Sequence, residues 1–192
     1  MKVLILTKSD LVTRDVDILS RMKSVVSITI TGMEGFVRVL EPYAPSPESR
    51  LKAMKFLHDH GIPTVLRLDP IIPYVNDDER ILREVIEGAA GAGVKHVVSS
   101  TLKLKPDIFN RFRIKLDIVA NRFRDLYFRD GQKIGGSYYL PREMRYNILK
   151  MVKDVCEEFG LTFAVCREGF RDLNTAPSCD GSHLFHADDN HW

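Results

Sequence analysis

Two sets of residues in this chain have the types and spacing to bind a metal or an anion. The first lies near the C-terminus in CREGFRDLNTAPSCDGSH, where Cys166, Cys179, Asp180 and His183 share one block and His186 follows three residues later. Thiolates and imidazoles are ligands for zinc or iron, so Cys166, Cys179 and His183 form a candidate metal set. No CxxC pair anchors it, and a packed tail with a buried thiol accounts for the same residues. Cys179 and His183 also have the types of a nucleophile and its base, but an irregular tail gives that pair no rigid scaffold. The second set lies on the early strands. Thr7-Lys8-Ser9-Asp10 closes the first apolar run, and ligands gather at that edge of α/β sheets. Lys8 either meets a carboxylate or phosphate there as a point charge, or stays solvated while Asp10 caps a helix. Ser27 and Thr29 alternate with apolar neighbours in VVSITI. Both therefore face one side of a strand, toward a ligand or satisfied within the sheet.

The elements that must position these residues alternate. Short runs rich in Val, Ile and Leu at Val3 to Thr7, Val25 to Ile30, Thr64 to Leu68, Lys95 to Ser99 and Leu161 to Cys166 read as strands buried on both faces. Helical patterns lie between them. One runs from Leu11 to Met22. A second opens with Ser46 as cap, Pro47 in the first turn and Glu48 at the positive end of the dipole, and ends near Gly61. A third opens at Asp77 and closes at Gly91 and Gly93. Repeated strand–helix units predict an α/β fold of four to five parallel strands, either a (β/α) barrel or an open sheet. After Thr101 the pattern changes to a long basic helix from Pro106 to Phe128, a turn at Gly131, Gly135 and Gly136, and a helix from Pro141 to Phe159. The tail from Glu168 onward reads as irregular. The chain is read as one domain: a barrel segment over 1–101, a helical extension with the last strand over 102–166, and the tail over 167–192.

Composition narrows the function classes. The chain has 192 residues, 44% hydrophobic and 28% charged, with a formal net charge of +2, as in an ordinary soluble domain. That charge argues for no nucleic-acid partner by itself. Between Lys103 and Lys133, however, nine Lys or Arg face four Asp. This stretch either follows a phosphate backbone or forms a solvated helix face. No apolar run reaches the roughly 20 residues of a membrane span, and the start lacks a signal-peptide core. Three cysteines without framework spacing point to free thiols in a reducing cytoplasm. There is no GxSxG, HExxH or phosphate loop, and EGAAGAGV ends a helix where a nucleotide fingerprint would start one.

Three blocks carry a resemblance: LTKSDLVTRDVDIL from Leu6 to Leu19, LEPYAPSPESRL from Leu40 to Leu51, and DPIIPYVND from Asp69 to Asp77. In this order they resemble the spore photoproduct lyase-like (DNA repair photolyase-like) branch of the radical S-adenosylmethionine (radical SAM) enzymes. The resemblance implies a partial barrel that binds S-adenosylmethionine beside a 4Fe–4S cluster. Lys8 would match a residue near the methionine carboxylate, and Ser27 and Thr29 a polar strand near the ribose and amine. Pro70, Ile71 and Ile72, with Asn76 and Asp77, would form the turn beside the adenine. The chain departs from that pattern at Tyr74, where the family usually has glycine. Within LEPYAPSPESRL the prolines stiffen a loop, and Glu41 either pairs with Arg50 or faces a substrate.

The CxxxCxxC cluster motif of that superfamily is absent, and three scattered cysteines do not replace it. The resemblance therefore implies the C-terminal two-thirds of a radical SAM protein, inactive alone: a truncated chain, a decayed one, or one whose cluster comes from a partner polypeptide. The alternatives are a non-catalytic nucleotide- or nucleic-acid-binding module and a small metal-binding protein with zinc or iron in its tail. A partial barrel exposes sheet edge and apolar surface, so self-association is expected.

Overall fold

The computed structural model describes residues 2–33, 35–115 and 117–186. Five strands, β1 (Lys2–Thr7), β2 (Lys23–Thr29), β3 (Thr64–Ile71), β4 (His96–Thr101) and β7 (Thr162–Val165), form one sheet in the order β1-β2-β3-β4-β7. Every neighbouring pair is parallel. Each connection steps to the next position in one direction, so its helices gather on one face. Helix α1 (Val16–Leu19) and the short α2 (Phe36–Leu40) precede three longer ones, α3 (Pro47–Asp59), α4 (Glu79–Gly91) and, after the extension, α7 (Arg142–Glu158). Their apolar residues share one large core with Val26, Ile28, Ile30, Leu66, Leu68 and Val97 from the strands. Across the sheet the described residues form a second, smaller apolar cluster of Val25, Val65 and Val98, packed against Leu4, Cys166, Leu184 and Phe185. Helices on one face alone make this the wall of a barrel, a partial (β/α) barrel, and set it apart from a doubly wound sheet.

Local chemistry explains most boundaries. Ser46 Oγ accepts the amide of Ser49 and Pro47 occupies the first turn of α3, as expected. In α4 the cap is Asp78, whose carboxylate accepts from the Arg80 amide. Asp77, expected in that role, instead accepts from the Tyr74 amide inside the preceding turn. The helix expected over Leu11 to Met22 is a 3-10 turn at Asp10–Asp15, capped by Ser9, followed by the four-residue α1. Thr13 Oγ1 donates to the Asp10 carbonyl, competing for the backbone, and Leu11 and Ile18 remain exposed.

The helical segment expected from Pro106 is present in the described residues as α5 (Pro106–Lys115) and α6 (Asp117–Arg124), and a π turn at Asp125–Arg129 follows it and buries Tyr127, its hydroxyl donating to the Leu102 carbonyl. The expected glycine turn closes an antiparallel hairpin of β5 (Gln132–Ile134) and β6 (Ser137–Tyr139). Over the described residues the tail is irregular, as expected, and packed. Asn174 Oδ1 and Thr175 Oγ1 accept the amides of Val165 and Phe163, covering the β7 edge. A last 3-10 turn, Ser182–His186, then crosses under the concave face.

Candidate functional site

The concave face changes character along the strands. Its lower layer, near the strand starts, is apolar and covered by the tail. Gly181 lies so close to β3 that a Cβ there would be 2.4 Å from Val65 Cγ2. His183 stands edge-on to His96 with ring centroids 4.8 Å apart, and Leu184 and Phe185 pack on the valines. Burial, and then the neighbouring His183, lower the His96 pKa to about 4, so this layer is built for a neutral imidazole.

Toward the C-terminal edge the same face turns polar. Register places Thr29 beside Arg67, and the alternation of each strand sends Ser27, Thr29, Arg67, Asp69, Ser100 and Cys166 to the concave side. Among the described residues neither the Ser27 nor the Thr29 hydroxyl has a protein hydrogen-bond partner. Asp69 is held on both oxygens, by Arg67 Nη2 at 2.7 Å and Ser100 Oγ at 2.6 Å. The same Arg67 nitrogen lies 3.6 Å from Cys166 Sγ. These groups, with Pro70, Lys103 and Arg167, surround a cavity of about 290 Å³.

Two buried ion networks brace this edge. In one, Arg50, fully buried on α3, pairs with Glu41 at 2.7 Å and donates to the carbonyls of Pro45 and Thr29. Lys8 Nζ reaches the other oxygen of Glu41, which also accepts from Thr31. Burial works to raise the Glu41 pKa, but Lys8 and Arg50 outweigh it and hold the carboxyl below its usual range. In the other, Glu168 is fully buried and accepts from Arg145, Lys103, and the amide and hydroxyl of Thr101. Arg167, just before it, adopts the left-handed conformation with φ of 58°. This network gave no sequence signal, because its members come from three separate segments.

The site residues named from sequence divide accordingly. Lys8 stands at the edge and is bound to Glu41, and the Glu41–Arg50 pair is present. Pro70 lines the cavity, whereas the side chains of Ile71 and Ile72 are buried in the core. Asn76 is fully buried and ties the turn down, accepting from Ile72 and donating to the carbonyls of Thr31 and Pro70. Tyr74 takes a φ of 62°, the conformation glycine adopts most readily. The three thiols lie apart in character: Cys156 buried in α7, Cys166 on the cavity wall, Cys179 exposed. His183 is hydrogen-bonded to Ser178, and the His186 side chain lies outside the described residues. Among the described residues no group of three or more His, Cys, Asp or Glu is arranged to hold a metal, and no helix is long and apolar enough to cross a membrane.

No family model matches the chain. Over 82 residues it is 44% identical to the uncharacterized protein MJ0683 of Methanocaldococcus jannaschii, a match covering 42% of this chain and 32% of that one. Over 108 residues it is 33% identical to the uncharacterized protein ORF301 of Acidianus two-tailed virus, covering 53% and 36%. The matched stretches thus span about a third of either relative's length. Among solved structures, spore photoproduct lyase complexed with dinucleoside spore photoproduct superposes with a TM-score of 0.66 at 16% identity, over 85% of this chain and 51% of that one. Streptococcus suis SuiB bound to S-adenosylmethionine superposes with a TM-score of 0.51 at 12% identity, over 85% and 32%. The likeness is one of fold, an α/β partial barrel.

Proposed function

We propose that this chain forms the cofactor- and substrate-facing wall of a radical SAM-type enzyme, with the iron–sulfur cluster carried on another polypeptide segment. The observation that supports this best is the one-sided parallel sheet, polar on its concave face only toward the C-terminal edge, in a fold shared with a solved enzyme bound to S-adenosylmethionine. The residues present suit that cofactor. Ser27 and Thr29 offer hydroxyls with no partner among the described residues, and Lys8 offers a cation that a carboxylate would share with Glu41. Pro70 contributes wall surface, while Ile71 and Ile72 contribute only backbone. When bound beside a reduced 4Fe–4S cluster, S-adenosylmethionine supplies hydrogen-abstracting radical chemistry. The chain's own part is to hold, orient and shelter the reactants from water.

The cluster does not fit the described cysteines, one buried in a helix, one in the cavity and one exposed. The β1 edge, where Leu6, Leu11 and Ile18 are exposed, suits a cluster-bearing βα segment that continues the sheet. The test is titration calorimetry with S-adenosylmethionine. Binding is expected in the wild type and about tenfold weaker in Ser27→Val. Absence of binding in a folded wild-type chain would overturn the reading.

Arg111, Arg113 and Arg124 favour a second one. They are exposed on α5 and α6 with no ion pair among the described residues. A nucleic-acid-binding role predicts affinity falling steeply with salt, and a flat salt response would remove it.

A further inference from the structure

The cavity between the upper ends of β3, β4 and β7 is more cationic than a cofactor's carboxylate requires. Arg67, Lys103 and Arg167 line it, and among the described residues Asp69 is the one acidic side chain in its wall. Glu168, directly beneath, is fully buried and shared between Arg145 and Lys103, so the wall and its support together keep two positive charges in excess. Asp69 is already held on both oxygens, which fixes Arg67 by one nitrogen, Nη2. The other guanidinium N–H groups make no bond among the described residues. Ser100 and Thr101 add hydroxyls to the same wall. A space of about 290 Å³ is larger than a bare oxyanion needs and admits a phosphate with a small organic group attached.

We propose that this cavity binds a phosphomonoester: a small phosphorylated substrate whose dianion answers the two surplus cations, held by Arg67 and Lys103 with Arg167 at the mouth. A guanidinium fork and a lysine are the usual partners of such a group. The assignment concerns binding alone and stands whether or not radical chemistry follows.

The test uses the full chain at constant ionic strength, with ribose 5-phosphate as probe. Dimethyl phosphate, a monoanionic diester, and methionine, a carboxylate without phosphate, are the controls. Calorimetry is expected to show ribose 5-phosphate binding, about tenfold weaker in Arg67→Gln and about threefold weaker in Arg167→Gln. Arg167 is exposed, so its variant keeps the test valid if Arg67→Gln unfolds. An independent readout uses Cys166 in a Cys179→Ser background, since Cys156 is buried. Ribose 5-phosphate is expected to slow alkylation of Cys166 by iodoacetamide. Wild-type protein that ignores ribose 5-phosphate, or binds dimethyl phosphate equally well, overturns the assignment. So does methionine competing for the same site, which would return the cavity to the cofactor. Loss of S-adenosylmethionine binding with retained ribose 5-phosphate binding would sink the proposed function and leave this site standing.

Discussion

Arg50 and Arg145 hold the same post in two parts of the molecule. Each is the fourth residue of its helix, each is buried, and each donates Nε to the carbonyl five residues before it. Each also pairs with a glutamate whose second oxygen meets a lysine, Lys8 or Lys103. The difference lies in where the glutamate comes from. Glu41 sits nine residues before Arg50, inside one proline-rich loop, and its lysine side chain is 44% exposed. Glu168 lies 23 residues after Arg145, beyond a whole strand, and its side chain is 0% exposed. A pair closed through a short loop tolerates solvent at its rim. One closed across the fold has no water to fall back on once a partner is lost.

The largest effect should come from removing Glu168. Glu168→Ala leaves Arg145 buried and uncompensated, and urea unfolding should show a loss of about 3–5 kcal/mol. Glu41→Ala also leaves Arg50 buried and uncompensated, but its lysine, Lys8, is the more exposed of the two and can turn to water, so the loss should be smaller. Equal losses would break the comparison.

Acid tests another contact made across the fold, His96 against His183. The folded pKa of His96 is near 4, below the ordinary value of 6.5, so the folded state favours the neutral ring. Stability is therefore fully present above pH 6.5 and lost as pH falls from 6.5 through 4, by on the order of 3 kcal/mol at the acid end. Urea midpoints measured from pH 7 to 4 should fall less steeply in His96→Gln. A parallel fall would remove His96 as the cause.

Gly181→Ala should cost about 1–3 kcal/mol. Its φ of 81° disfavours a side chain and its Cβ would strike Val65. Protease sensitivity of the tail should rise with that loss. The smallest effect belongs to the turn at Tyr74. Tyr74→Gly relieves the left-handed tyrosine but loses its stacking against Arg122 and loosens the unfolded chain, leaving stability within about 1 kcal/mol of wild type by thermal melting. A shift beyond 2 kcal/mol would mean that the turn carries more than local strain.

Features made by near neighbours were legible in the sequence. The five strands and Ser46 and Pro47 at the start of α3 follow from residues a few places apart, and Arg50 is one of the two partners the sequence left open for Glu41. Where local signals competed, reading failed by small steps. Asp77 and Asp78 are both cap types, and only the turn drawn down by Asn76 assigns one to Tyr74 and the other to Arg80. The helix expected after Leu11 is rich in β-branched residues and carries Asp and Ser, and its turns lack a continuous buried face to hold them.

The sequence by itself determined the alternation of strands and helices, because hydrophobic periodicity and caps act over one or two turns of chain. It also placed Lys8, Ser27 and Thr29 on the early strands, and the parity of a strand sends the two hydroxyls to one face. Only the tertiary structure decided that the helices lie on one face and leave the other concave. It alone joined Arg67, Asp69, Ser100 and Cys166 into one wall, buried Glu168 between Arg145 and Lys103, and laid the tail beneath them. Those contacts link residues tens of positions apart, and their energies come from burial and charge pairing that no short stretch of chain contains.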